Sequence, residues 1–128
     1  MILLLLACAP GTLDSGIGEP NPTYEADIAP MLEAHCVSCH ARGDRIAGGV
    51  DVSDYRTARA TRVTSVCTSI TPAVMDQFAD VLVPLGGDAP GPCADLDLFS
   101  MPPGAAAHLD LHDQVTYARW VSLGAPER

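Results

Sequence analysis

Five consecutive residues, Cys36-Val37-Ser38-Cys39-His40, constrain this chain more than anything else in it. Two thiols three positions apart can each add a sulfur to one of the two vinyl groups of a haem, and the histidine that follows then lies under the iron. The spacing is therefore a geometric requirement, and C-x-x-C-H is a signature of covalent haem attachment. His40 supplies the proximal nitrogen in this reading. A zinc site would need four ligands, usually from a second paired set; no second C-x-x-C exists, and His35, His108 and His112 lack ligand-pair spacing with a cysteine. A thioredoxin-like dithiol belongs beside a βαβ pattern, which this chain lacks.

The sixth iron position decides what such a haem does. A second strong axial ligand favours electron transfer, whereas an open position admits small molecules. Met101 is the candidate, because Pro102 and Pro103 stiffen the loop that presents its thioether and push its backbone toward an extended conformation. Its rivals are Met75, at an apolar helix position, Met31, ahead of the motif, and His108 and His112.

Five cysteines divide without remainder. Cys36 and Cys39 form the motif, and Cys8 follows Leu5-Leu6-Ala7 as in the lipobox of a bacterial lipoprotein signal. Cys67 and Cys93 are left as a disulfide pair, or as two buried thiols. A signal sequence implies an oxidising compartment, where a bridge persists. Residues 1–7 read as a signal-peptide remnant lacking a basic n-region, and residues 8–22 as a lipidated Cys8 with a flexible linker punctuated by Gly and Pro. The folded domain is expected over 23–128. Attachment would be by lipid, since no segment has the roughly 18 apolar residues that span a bilayer.

A chain of 128 residues holds one small core, and with 5% aromatic residues a covalent cofactor would help fill it. Sixteen acidic against seven basic residues give a net charge of -9, which excludes nucleic acid as a partner. All the basic residues are arginines. Arg42, Arg45, Arg56, Arg59 and Arg62 cluster after the motif, either as a solvated face or, for one or two of them, to meet haem propionates.

Thr23 is placed to cap a helix carrying Ile28, Met31, Leu32 and His35, with Pro30 predicting a kink or a late start. Ser53 is expected to cap a short helix from Tyr55 to Ala60. Thr71-Pro72 starts another, with Val74, Met75, Phe78, Val81 and Leu82 as its apolar stripe and Pro84 as its stop. The last helix runs from Asp110 to Leu123 and ends at Gly124, with Thr116, Arg119 and Ser122 as a polar stripe and Val115, Tyr117, Ala118, Trp120 and Val121 facing elsewhere. No strand-like alternation competes, so the fold class is mainly α.

On three pieces the chain resembles the class I cytochromes c, and most of all the small haem domains of bacterial envelope lipoproteins. These are Tyr24 to His40, Gly48-Gly49-Val50-Asp51-Val52-Ser53-Asp54-Tyr55, and Met101-Pro102-Pro103-Gly104 followed by the helix with Trp120 and Gly124-Ala125-Pro126. The stretch from Arg56 to Pro92 matches poorly. The resemblance implies a cytochrome c domain of three to four helices and long loops around one haem c, thioether bonds at Cys36 and Cys39, and His40 and Met101 as axial ligands. It also implies a last helix crossing the first over the haem edge.

The expected function is a one-electron carrier in the periplasm or cell envelope, with redox proteins as partners, a membrane reached through a lipid anchor, and no enzymatic chemistry of its own. The absence of lysine and the acidic surface point to partners with a basic or apolar face. The alternatives are a haem enzyme or gas-binding sensor with an open or labile sixth position, and a structural lipoprotein whose C-x-x-C is a plain disulfide.

Overall fold

Thr23 opens the first helical segment as its sequence position predicts, its Oγ1 accepting the N–H of Ala26 at 3.3 Å. The structure is a computed structural model and describes residues 16–37, 40, 51–85, 100–102 and 108–128. Within these the chain is mainly helical and holds no strand. Tyr24–Ile28 winds as a π-helical turn, and Ala29–His35 continues as α1. Pro30 accounts for the change of register. Its ring collides with the carbonyl four residues back in a regular α-helix. The wider turn before it, in which Ala29 N–H bonds the carbonyl of Tyr24, accommodates the ring without breaking the helix.

Asp54, rather than Ser53, caps α2 (Tyr55–Ala60). A carboxylate and a hydroxyl satisfy each other's backbone: Asp54 Oδ1 accepts the Thr57 N–H at 2.9 Å, and Thr57 Oγ1 accepts the Asp54 N–H at 3.3 Å. Ser53 instead donates its N–H and its hydroxyl to Asp51 Oδ1.

The next helix, α3 (Arg62–Ser69), corrects the expected count, giving five α-helices among the described residues. Its run of β-branched and hydroxyl side chains is a poor helix former. Burial outweighs that: Val66 and Cys67 are fully enclosed. The Thr68 hydroxyl bonds back to Thr64 and Ser65, and Ser69 Oγ donates to Ser65 O at 2.6 Å, so those polar groups are satisfied inside the helix.

Thr71 precedes α4 (Pro72–Leu85), whose last turn includes Pro84. Val74 is buried, and Met75 and Phe78 pack against the core. The side chains of Val81 and Leu82 lie outside the described residues. Asp110 caps α5 (Leu111–Ser122) by accepting the Asp113 N–H at 2.8 Å, and Gly124 leaves the helix at φ +89°. Helix α5 packs against α3, α4 and the π turn. Gln114, buried within it, accepts the Thr71 N–H and donates to Leu109 O, tying α4 to α5.

Two irregular segments complete the core. At the C-terminus, Pro126 O accepts both Tyr24 N–H and Trp120 Nε1–H at 2.9 Å, and Tyr55 donates its hydroxyl to Ala125 O at 2.8 Å. These contacts bring Tyr24, Tyr55 and Trp120 together as a tilted aromatic cluster. At the other end, the packed domain begins before Thr23. Pro22 is fully buried, Ile17 rests on the core, and Glu19 N–H donates to Thr116 Oγ1 at 3.0 Å. Arg119 donates to the carbonyls of Ile17 and Glu19. The polar stripe of α5 is thus the seat of residues 17–19, so the expected linker over 8–22 ends earlier than its Gly/Pro punctuation suggests. Residues 1–15, including Cys8, lie outside the described residues, and among those described no helix is long and apolar enough to cross a membrane.

Candidate functional site

The chain leaves α1 through a hydrogen-bonded turn that fixes the motif. Cys36 and Val37 both donate to Leu32 O, and His40 N–H donates to Cys36 O at 2.9 Å. Val52 N–H closes the far side on His40 O at 2.8 Å. Backbone hydrogen bonds therefore hold the histidine and the first cysteine one turn apart. Cys36 is half-buried and carries a thiol. Cys39 lies outside the described residues.

Beside this turn is a cavity of about 140 Å³ that opens to solvent. That volume is below the roughly 300–1,000 Å³ typical of small-molecule and cofactor sites, so it is the residues in the wall, not the size, that point to an occupant. Leu32, Cys36, His40 and Val52 line it from the motif side of the chain. Thr64, Ser65, Thr68 and Ser69 contribute one face of α3, Tyr117 comes from α5, and Met101 completes the wall. Three of the residues singled out in the sequence, Cys36, His40 and Met101, thus meet around one largely apolar space. Of the rival ligands, Met31 and Met75 belong to the core or its margin, and neither they nor His108 nor His112 line the cavity.

Met101 is held from α3 through its backbone, its N–H donating to Thr68 O at 2.9 Å. It remains 37% exposed. Cys67, on the same helix, is disulfide-bonded; its expected partner, Cys93, lies outside the described residues.

Two hydroxyls in the wall bear on what the cavity can hold. Tyr117 Oη and Ser65 Oγ are buried without a hydrogen-bond partner. Burial first, and then the nearby Cys36, raise the Tyr117 pKa well above the ordinary tyrosine value, so the group is a neutral donor. Ser65 stands near enough to oppose that rise, yet the pair does not meet hydrogen-bond geometry. An occupant that is mostly apolar with a few acceptor groups would fit this wall. A haem has that character, and the thiol, imidazole and thioether are the donors it would take.

The sequence did not single out the hydroxyl face of α3 or Tyr117. Thr64, Ser65, Thr68 and Ser69 do follow helical spacing, but hydroxyl residues at that spacing also suit a loop. Of the clustered arginines, Arg56, Arg59 and Arg62 do not line the cavity, and Arg62 donates to Arg59 O at 2.8 Å. Arg42 and Arg45 lie outside the described residues. Comparison of the chain with models of known families, with curated proteins and with solved structures yields no match.

Proposed function

We propose that this chain is a mono-haem c-type cytochrome of class I type that carries single electrons in the bacterial cell envelope. The observation that carries the reading is the meeting of Cys36, His40 and Met101 around one apolar cavity. In this reading Cys36 and Cys39 hold the macrocycle through thioether bonds, His40 gives its ring nitrogen to the iron, and Met101 gives its sulfur. Bound haem supplies a ferrous–ferric couple. The chain's own part is to fix the ligands, through the Leu32–Cys36–His40 backbone turn and the Met101–Thr68 bond, and to shield the group with Leu32, Val52 and Tyr117. Cys8 would tether the domain to a membrane by a lipid, and its partners would be redox proteins with a basic or apolar docking face. The Cys67–Cys93 bridge is part of the same proposal.

A second reading, a gas-binding or enzymatic haem with a labile sixth ligand, draws support from the exposure of Met101 and from the Tyr117 and Ser65 hydroxyls in the wall. The deciding experiment is a visible spectrum of the matured protein in both oxidation states, with carbon monoxide added to the reduced form. A six-coordinate spectrum indifferent to carbon monoxide fits the carrier, and rapid, tight binding fits the second reading. A denatured chain that shows no haem stain defeats both, because thioether-linked haem survives unfolding.

A further inference from the structure

We infer that His35, Asp110, His112 and Asp113 form a site for a divalent transition ion of the zinc type where the end of α1 meets the start of α5. The inference is independent of the haem reading. The two carboxylate oxygens of Asp113 face two imidazoles from different helices: Oδ2 lies 3.9 Å from His35 Nε2, and Oδ1 lies 3.5 Å from His112 Nδ1. Both separations exceed an ordinary N–H···O hydrogen bond, which closes at 2.7–3.2 Å. The contacts use different oxygens of Asp113; the one to His112 is close to the separation a shared metal imposes, and the one to His35 is longer and would shorten on binding. Tetrahedral zinc with bonds of about 2.0–2.2 Å to nitrogen and oxygen sets its donors about 3.4 Å apart. Donor atoms of Asp110, His112 and Asp113 already lie within 4.8 Å of one another, and the exposed His112 ring can turn to close the remainder.

The four side chains are held in place by the fold. Asp110 and Asp113 are the cap and third residue of α5, locked side by side by the Asp113 N–H on Asp110 Oδ1 at 2.8 Å. That bond leaves the second oxygen of Asp110 for another partner. It also sets two carboxylates together at the start of α5 as candidate oxygen ligands. His35 and Asp113 are each only 31% exposed, so the contact between the helices is partly shielded from water. Imidazole nitrogens with carboxylate oxygens select zinc, copper(II) or nickel over the calcium and magnesium that all-oxygen sites prefer. An ion here would clip the residue preceding Cys36 to the first turn of α5, and an ion that binds only the folded chain raises its stability.

The test is calorimetric titration of the chelator-stripped, purified full chain with zinc chloride, alongside thermal melts with zinc or magnesium. One equivalent of zinc should bind and raise Tm, with no response to magnesium. His112→Ala and His35→Gln should each weaken binding by at least the roughly tenfold that even an outer-shell partner costs. Asp76→Asn, which removes an exposed carboxylate on α4, should leave it unchanged. Absence of binding overturns the site, as does binding that survives either His35→Gln or His112→Ala. Binding lost in His40→Ala but kept in His112→Ala would send the ion to the Cys36 thiol region, and also overturns it.

Discussion

The backbone N–H of Met101 is bonded to the carbonyl oxygen of Thr68 at 2.9 Å. Thr68 is in the last turn of α3, where carbonyls have no partner within the helix. The end of one helix thereby fixes a loop from far along the chain, and it does so without using the methionine side chain.

Because that anchor is backbone, Met101→Ala removes the thioether side chain and leaves the anchor in place. The variant should keep its covalent haem and lose the long-wavelength sulfur-to-iron charge-transfer band of the oxidised protein. An unchanged spectrum would take Met101 off the iron.

Tyr117→Phe deletes a buried hydroxyl that has no partner. Leaving such a group unsatisfied costs about 1–3 kcal/mol, so the haem-free variant should be as stable as the parent, or more so, in urea. A pH effect accompanies it. The unfolded tyrosine ionises near its ordinary value of 10.0, while the buried one stays protonated to higher pH. Below about pH 10 both states hold the proton and the stability is whole; above it only the folded state does, and stability falls as pH rises. Urea midpoints from pH 9 to 11.5 should fall less steeply in Tyr117→Phe. Tyr24, also raised by its burial and then by Glu127, leaves a residual slope. Identical slopes would contradict the burial argument.

Gly18 sits at φ +76°, and a Cβ there would meet Val115 Cγ1 at 2.9 Å and the Thr116 backbone nitrogen at 3.1 Å. Gly18→Ala combines a left-handed backbone cost of about 1–2 kcal/mol with overpacking of similar size. A loss of about 2 kcal/mol or more is expected in chemical denaturation, with faster amide exchange at Glu19. A neutral variant would show that residues 17–19 do not hold α5.

Cys67→Ser should lower stability by about 3–4 kcal/mol if the bridge closes the loop to Cys93. Peptide mapping of the unreduced chain should recover the two cysteines in one linked pair. Recovery of Cys67 with another cysteine would redraw the path of the chain between α3 and Met101.

The parts of the fold that were legible in sequence are those set by neighbouring residues. Thr23, Thr71-Pro72 and Asp110 mark helix starts because a cap acts over three residues. The cap of α2 was misplaced by one, since Ser53 and Asp54 are both good caps and only the Thr57 hydroxyl favours the second. Helix α3 was illegible: its local preference opposes a helix, and the burial of Val66 and Cys67 that overrides it comes from distant partners.

By itself the sequence determined that Cys36, Cys39 and His40 belong to one short stretch, because their separation leaves the backbone little choice. It also determined where the last helix begins and ends. Only the tertiary structure decided that Met101, and not Met31 or Met75, shares a cavity with His40, that α3 and Tyr117 line that cavity with hydroxyls, and that Thr116 and Arg119 are covered by residues 17–19. These relations join residues far apart in the chain. Local periodicity does not encode them, since they exist only once burial repays the entropy of closing the intervening loops.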